Sequence, residues 1–177
     1  VIETKRGDGL YVSDFSFDPI LDNLEYGLLS NLTQLSDLLQ VRRVLETGMI
    51  ETAMQQMTPD IKAEIAATVD AMGEHARANE PFVNEDRAFH RLLFEPIGNT
   101  VLVRLLDIFW KGFNKASQYA EISDTDPLMT HRAHQAIVDA IMADDAARAR
   151  VALDDHYTGL ERRLERARQQ TRTDEDA

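Results

Sequence analysis

The sequence predicts an all-α fold, an antiparallel bundle of six to seven helices with a short β-hairpin at the N-terminus. Three observations support this prediction. Beyond residue 30 the apolar residues recur with helical spacing. The helical stretches are joined by short connections, which favour antiparallel neighbours. Of the 177 residues, 44% are hydrophobic, which is enough to form the packed core of a single domain.

The first residues differ from the rest of the chain. Residues 1–14 are rich in β-forming side chains around the turn Gly7–Gly9, which predicts two short strands. A hairpin that opens at residue 1 has no sheet to join, so we expect it to be the remnant of a preceding domain; a disordered terminus is the alternative. Residues 15–30 are then a linker, residues 31–170 the helical domain, and residues 171–177 a polar tail that frays.

Local signals mark most ends of the expected helices. Thr58–Pro59 and Asp126–Pro127 each place a capping residue before a proline at the first helical position. Gly98–Asn99 interrupts the chain between two helices, and Asp144–Asp145 places negative charge at the start of the last one. The expected helices lie near residues 31–56, 59–78, 82–95, 100–119, 127–143 and 146–170.

The composition excludes several classes of function. The chain has 19 Lys and Arg against 31 Asp and Glu, a net charge of −12, so it is a poor nucleic-acid binder by itself. It has no cysteine, which excludes disulfides, thiolate zinc sites and cysteine nucleophiles and fits a cytoplasmic setting. No apolar run approaches the roughly 20 residues of a membrane span, and no signal peptide opens the chain, so we expect no membrane partner.

Three histidines and one aspartate lie on helix faces that are otherwise apolar. Asp86 and His90 are i and i+4 neighbours on one face, His134 lies at the edge of a core face, and His156 lies within the apolar stripe of the last helix. An ionised carboxylate in a core is costly unless it is paired or bound to a metal. One carboxylate and three imidazoles that converge inside a bundle predict a divalent-metal site.

Each of these residues also has a simpler explanation. A single inward histidine is more often a hydrogen-bonded core residue than a ligand, and Asp86 with His90 could be a neutral pair. The presence of all four on inner faces favours the metal. The other histidines are expected elsewhere, His75 in solvent and His131 towards the polar side of its helix.

Arg42 is a charged residue near the middle of the apolar stripe of the first long helix. Glu46 lies one turn further along the same face. A buried guanidinium needs an anion. That anion is either Glu46, as an intrahelical pair, or a carboxylate ligand inside the bundle. Aromatic side chains of the helix 100–119 are expected to fill the core, with cavity lining as the alternative: Phe109, Trp110 and Phe113.

Four stretches of the sequence carry a family resemblance. ETKRGDGLYV is similar to the wing of a winged-helix DNA-binding domain, and LLQVRRVLETGMIETA to the first helix of an effector-binding domain. The spacing of Asp86 and His90 in EDRAFHRLLFEPIGN, and of His134 and His156 in HQAIVDAIMADDAARARVALDDH, matches a set of metal ligands. With these stretches the chain resembles the C-terminal effector-binding (FCD) domain of the FadR subfamily of GntR-type bacterial transcription regulators, as far as about residue 165.

The resemblance implies a dimeric regulator whose helical domain holds a divalent ion by Asp86, His90, His134 and His156. A small carboxylate effector would approach that ion, and Arg42, at the position of the family's characteristic arginine, would neutralise its charge. Effector binding would alter how two winged-helix heads sit on a palindromic operator. The winged helix is largely missing here, and operator DNA would be bound through that missing domain.

We therefore expect a ligand-sensing domain and not an enzyme. The ligand types suit Zn²⁺ best, with Ni²⁺ or Mn²⁺ as alternatives, and a six-coordinate ion would leave two positions for water or for the effector. A metal-dependent hydrolase is one alternative, because such a site could activate water; Glu46 is the inward carboxylate that could serve as its base. A metal-free dimerisation bundle is the other alternative.

Overall fold

Two short strands and six α-helices make up the described part of the chain. The computed structural model describes residues 2–5, 9–12, 32–119, 124 and 126–175. The strands β1 (Ile2–Lys5) and β2 (Gly9–Val12) pair antiparallel. None of the described helices combines the length and apolar content needed to cross a membrane. The helices are α1 (Leu32–Gln56), α2 (Pro59–Arg77), α3 (Val83–Phe94), α4 (Thr100–Tyr119), α5 (Pro127–Met142) and α6 (Ala146–Glu175).

The all-α prediction is confirmed, and most helix ends agree with the expected ones to within a residue. The largest difference lies at the C-terminus, where α6 continues to Glu175, past the predicted end at residue 170. The predicted linker 15–30 lies outside the described residues. That β1 and β2 are the remnant of a winged helix stays a prediction.

The predicted caps form the local contacts that begin and end the helices. The Thr58 side chain accepts a hydrogen bond from the Ile61 amide at 3.3 Å, and the Asp126 side chain accepts one from the Met129 amide at 2.9 Å. Gly98 has a φ of 72°, a left-handed conformation that glycine adopts without steric cost, and it ends the 3-10 turn after α3. These stops keep the connections short and fold consecutive helices back on each other.

The helix packing places α1, α3, α5 and α6 around the interior. Helix α1 packs against α3, α4 and α6, whereas α6 packs against α1 and α5. Large apolar residues of all six helices share one core; examples are Leu39, Ile65, Phe89, Leu106, Ile137 and Leu153. Five polar or charged residues within the described core are also buried, and each comes from one of the four surrounding helices: Arg42, Glu46, His90, His134 and His156.

Candidate metal centre

Four side chains that could bind a metal converge in the interior of the bundle. Asp86 and His90 come from α3, His134 from α5 and His156 from α6, and one ligand atom of each lies within 4.8 Å of those of the other three. Nitrogen and oxygen ligands lie about 2.0–2.2 Å from such an ion, so opposite ligands are at most about 4.4 Å apart. The four atoms are therefore close enough to share one ion after the side chains shift inward.

His90 directs one ring nitrogen towards this centre and has the other one occupied. Its Nδ1 lies 2.7 Å from Oε2 of Glu46. An ionised carboxylate only accepts hydrogen bonds, so Nδ1 carries the hydrogen and Nε2 carries the lone pair. The Nε2 atom is buried without a hydrogen-bond partner, 3.8 Å from Oδ1 of Asp86. A buried acceptor without a partner is costly, and a bound cation would satisfy it.

His134 shows the same orientation and faces an acceptor. Its Nδ1 lies 2.8 Å from the carbonyl oxygen of Thr130, which only accepts, so Nδ1 carries a hydrogen. Its Nε2 lies 3.0 Å from Oδ1 of Asp86. A lone pair and a carboxylate oxygen do not approach this closely without a positive charge between them. That charge is either a second proton on the ring or a metal ion.

Asp86 lies at the edge of the centre and is held by Trp110. Its Oδ2 accepts a hydrogen bond from the indole Nε1 at 2.7 Å, which leaves Oδ1 for the histidines. The side chain is 26% exposed, so Asp86 lies on an otherwise apolar face but is only partly buried. Desolvation raises the pKa of Asp86, but the hydrogen bond from His134 and the charges nearby outweigh it and hold the pKa well below its usual value. Asp86 is therefore ionised and able to bind a cation.

His156 supplies the third imidazole, from the middle of α6. Its ring centre lies 4.5 Å from that of His134 and 5.3 Å from that of His90. Desolvation lowers the pKa of His156 well below its usual value, and the two neighbouring imidazoles lower it further. Desolvation also lowers the pKa of His90, although Glu46 opposes this effect. Both rings are neutral at neutral pH, which is the state that binds metal.

Arg42 and Glu46 form the buried pair that the sequence left as one of two alternatives. Arg42 Nε lies 2.6 Å from Glu46 Oε1, and the two residues are 3% and 0% exposed. Burial raises the pKa of Glu46, but Arg42 and His90 outweigh it and lower the pKa to about 2. Nη2 of Arg42 is buried and has no hydrogen-bond partner, so the pair does not use all of the guanidinium.

Tyr157 is a residue of the site that the sequence did not single out. It is fully buried, and Cζ of Arg42 lies 5.7 Å from the centre of its ring. Its hydroxyl lies close to Glu46 but makes no hydrogen bond of good geometry. A tyrosine within an apolar stripe looks like an ordinary core residue, and only its need for a polar partner could have marked it. Arg42 and Tyr157 are therefore neighbours near the histidines, and each has a buried donor without a hydrogen-bond partner.

A cavity of about 180 Å³ lies beside the centre, between α3 and α4. Its wall includes the buried residues His90 and Trp110 and the more exposed arginines Arg87, Arg91 and Arg104. Trp110 is thus both buried and part of a cavity wall, which combines the two alternatives that the sequence left open. The cavity therefore borders one proposed ligand, His90, and the tryptophan that donates to Asp86.

The remaining two histidines lie away from the centre. His75 is partly exposed, and its Nδ1 lies 3.1 Å from Oε2 of Glu80. His131 is half-buried and packs on Gly73 of α2, where a Cβ atom would lie 2.7 Å from Nε2 of the imidazole. The expectation that His131 lies towards the polar side therefore holds only in part.

Comparisons with known proteins agree with this architecture. The sequence model of the FCD domain family matches residues 37–159, a range that includes all four candidate ligands. The transcriptional regulatory protein NedR of Micromonospora viridifaciens is 33% identical over 120 residues, which cover 68% of this chain and 87% of NedR. The transcriptional regulator LutR of Bacillus subtilis is 26% identical over 166 residues, 91% of this chain and 76% of LutR. The solved structure of Streptococcus agalactiae GntR superposes with a TM-score of 0.65 at 24% identity, over 91% of this chain and 74% of that one.

Proposed function

Since the chain belongs to the FCD domain family of GntR-type transcription regulators, we propose that it senses a small carboxylate metabolite at a buried divalent metal ion. Regulators of this type bind effector ligands and operator DNA, and the FCD domain is their ligand-sensing part. In our proposal the effector binds to the helical bundle, and operator DNA is bound through a winged-helix domain of which β1 and β2 are the end. We expect the regulator to act as a homodimer.

The observation that carries the metal proposal is the set of inward ligand atoms. Nε2 of His90 is buried without a partner, and Nε2 of His134 lies 3.0 Å from a carboxylate oxygen, a contact that either a second proton on the ring or a metal ion would satisfy. A divalent ion bound by Asp86, His90, His134 and His156 would satisfy both. Nitrogen and oxygen ligands without thiolates suit Zn²⁺, with Ni²⁺ or Mn²⁺ as alternatives. When bound, such an ion offers a Lewis-acid position to an effector carboxylate.

The observation that supports a carboxylate effector is the pair of donors beside the histidines. Nη2 of Arg42 and the hydroxyl of Tyr157 are both buried, and neither has an acceptor. Each unsatisfied buried donor costs about 1–3 kcal/mol. A carboxylate could accept hydrogen bonds from both while Glu46 keeps its contact with Nε of Arg42. Arg42 therefore serves as the effector-binding residue in this proposal, and Tyr157 joins it.

The four helices that supply these residues would translate effector binding into a change of the bundle. Arg42 is on α1, His90 on α3, His134 on α5, and His156 and Tyr157 on α6. A ligand that contacts all four helices favours the arrangement in which they fit it best. It shifts the balance between two arrangements only by its difference in affinity for them.

A hydrolase is less well supported by the same geometry. Metal-assisted hydrolysis needs a base that accepts a proton from the attacking water. Glu46 is the inward carboxylate next to the histidines in the described part of the chain, and its two oxygens already accept from Arg42 and His90. The relatives named above are transcription regulators, which also favours a sensor.

Metal analysis of protein purified without an affinity tag tests the proposal. We expect about one divalent ion per chain in the wild type and in His75→Ala, a control that removes a partly exposed histidine, and a large loss of metal in His134→Ala. Equal metal content in the wild type and His134→Ala would reject His134 as a ligand. A wild type that stays free of metal after incubation with Zn²⁺, Ni²⁺ and Mn²⁺ would reject the metal centre.

A thermal-shift screen of small carboxylates tests the effector. A ligand at 100 times its dissociation constant stabilises the protein by about 2.7 kcal/mol. We expect lactate, glycolate, sugar acids or short dicarboxylates to raise the melting temperature of the metal-loaded protein and not of the metal-free one. We also expect Arg42→Met to abolish the shift. A carboxylate shift of equal size without metal would contradict the proposed site.

A further inference from the structure

Glu46 is a fully buried residue that contacts both the proposed effector-binding residue Arg42 and the proposed metal ligand His90. Its Oε1 accepts from Nε of Arg42 at 2.6 Å, and its Oε2 accepts from Nδ1 of His90 at 2.7 Å. Each oxygen has a different partner, so one carboxylate joins the guanidinium of α1 to the imidazole of α3. None of the four proposed ligands is on α1, but Glu46 connects that helix to one of them, His90.

The contact with Glu46 decides which nitrogen His90 presents. A neutral imidazole has two tautomers, and its ring can offer either nitrogen to a metal. The carboxylate fixes the hydrogen on Nδ1, and Nε2 is left buried without a partner beside Oδ1 of Asp86. A carboxylate at this position also makes the imidazole a stronger ligand. The corresponding partner of His134 is the neutral carbonyl of Thr130. The carboxylate therefore strengthens His90 as a ligand more than the carbonyl strengthens His134.

Arg42 holds Glu46 in the position where it can act on His90. A lone carboxylate buried without compensation would be costly, and the guanidinium supplies the compensation at a short distance. The hydrogen bond uses the Nε edge of Arg42, which is why Nη2 is left over. The order of contacts is therefore Arg42, Glu46 and His90, and Nε2 of His90 then faces the proposed metal site.

We propose that Glu46 is a positioning residue of the metal centre, which holds His90 in the tautomer and orientation that bind the ion. This inference rests on the proposed metal site. It assigns to the Arg42–Glu46 pair a role beyond the effector, namely to set the affinity for the metal itself. Removal of a carboxylate that supports a metal-bound histidine weakens metal binding by about 10- to 100-fold.

The test measures the affinity of the full chain for Zn²⁺ alone, by competition with a chromophoric chelator. Glu46→Gln keeps the shape but leaves the Arg42 guanidinium without a charged partner, which lowers stability. The double variant Arg42→Met with Glu46→Met is therefore measured beside it, because apolar replacement of a whole buried pair is often well tolerated. Asp154→Asn is the control. It removes the ion pair between Asp154 and Arg43, the residue next to Arg42 in the sequence, and this ion pair does not contact the proposed metal ligands.

We expect both Glu46 variants to bind Zn²⁺ about 10- to 100-fold more weakly than the wild type, and Asp154→Asn to bind it equally well. In the metal-free protein, nitrogen-15 NMR of the imidazoles should show His90 with its hydrogen on Nδ1 in the wild type, and a changed tautomer ratio in the double variant. A folded double variant with wild-type affinity and an unchanged tautomer would overturn the inference. A wild type without Zn²⁺ binding would instead overturn the metal site itself.

Discussion

Trp110→Phe tests a second support of the proposed metal centre, the one that holds Asp86. Trp110 is the only tryptophan of the 177 residues, and its Nε1 donates to Oδ2 of Asp86 at 2.7 Å. Phenylalanine keeps most of the aromatic bulk and removes the donor. We expect the variant to fold and to bind Zn²⁺ more weakly, because Asp86 is then free to turn its carboxylate away from His90 and His134.

The size of this effect follows from the exposure of Asp86. A hydrogen bond to a charged acceptor contributes about 1.5–3 kcal/mol. The bond is present without metal as well, so only its part in orienting Asp86 affects metal binding. Asp86 is 26% exposed, and water can replace the indole as a donor. We therefore expect the lower end of the usual range for such supporting residues, about a tenfold weaker affinity or 1.4 kcal/mol.

Chelator competition with Zn²⁺ measures the change, and urea unfolding of the metal-free proteins measures stability. Phe109→Leu is the matched control: it removes bulk from a buried aromatic one position earlier on α4, in the apolar core. A Trp110→Phe protein with wild-type Zn²⁺ affinity would refute the reasoning. So would an equal loss of affinity in Phe109→Leu, because the cause would then be packing and not the hydrogen bond.

Three further predictions concern other contacts. Tyr157→Phe should reduce the thermal shift produced by a carboxylate effector and leave the metal content unchanged, as melting curves and metal analysis would show. Asp154→Asn should lower stability in urea by less than about 1 kcal/mol at pH 7, since the side chain is half-exposed. The hydrogen bond from Arg43 lowers the pKa of Asp154 below its ordinary value of 3.8. The stabilisation by Asp154 is therefore complete above pH 3.8 and disappears as the pH falls through the lowered pKa of the folded state. Gly73→Ala should destabilise the protein despite a gain of about 1 kcal/mol in helix propensity, because the new Cβ meets His131, and His131→Ala should remove the penalty in a double-mutant cycle.

The helix ends were predictable because their signals are local. The caps at Thr58 and Asp126 each depend on a residue three positions away, and the sequence shows both of them. The end of α6 was predicted too early because polarity alone suggested fraying. No glycine or proline follows residue 159 to end the helix. Side-chain contacts between residues one turn apart, such as Gln169 with Glu165 at 3.2 Å, stabilise a helix that is polar on its surface.

The inward direction of the four proposed ligands was also predictable, because the helical period fixes the face of each residue. Their partners were not. The contact between Glu46 and His90 joins residues 44 positions apart, and that between Asp86 and Trp110 joins residues 24 apart. Such contacts depend on how far one helix is rotated and shifted along another, which periodicity does not specify. The partial exposure of Asp86 also depends on this rotation and shift, so the sequence did not predict it.

The charges that face the interior favour the proposed combination of a metal and an acidic effector. Apart from the histidines, the guanidinium of Arg42 balances Glu46, and Asp86 leaves one negative charge. Unless a cation compensates it, this charge repels an anion. A divalent ion would reverse the sign and leave one positive charge, which a single carboxylate beside Nη2 of Arg42 would neutralise. We therefore expect the metal to bind before the effector, and an effector with one buried negative charge to fit better than one with two.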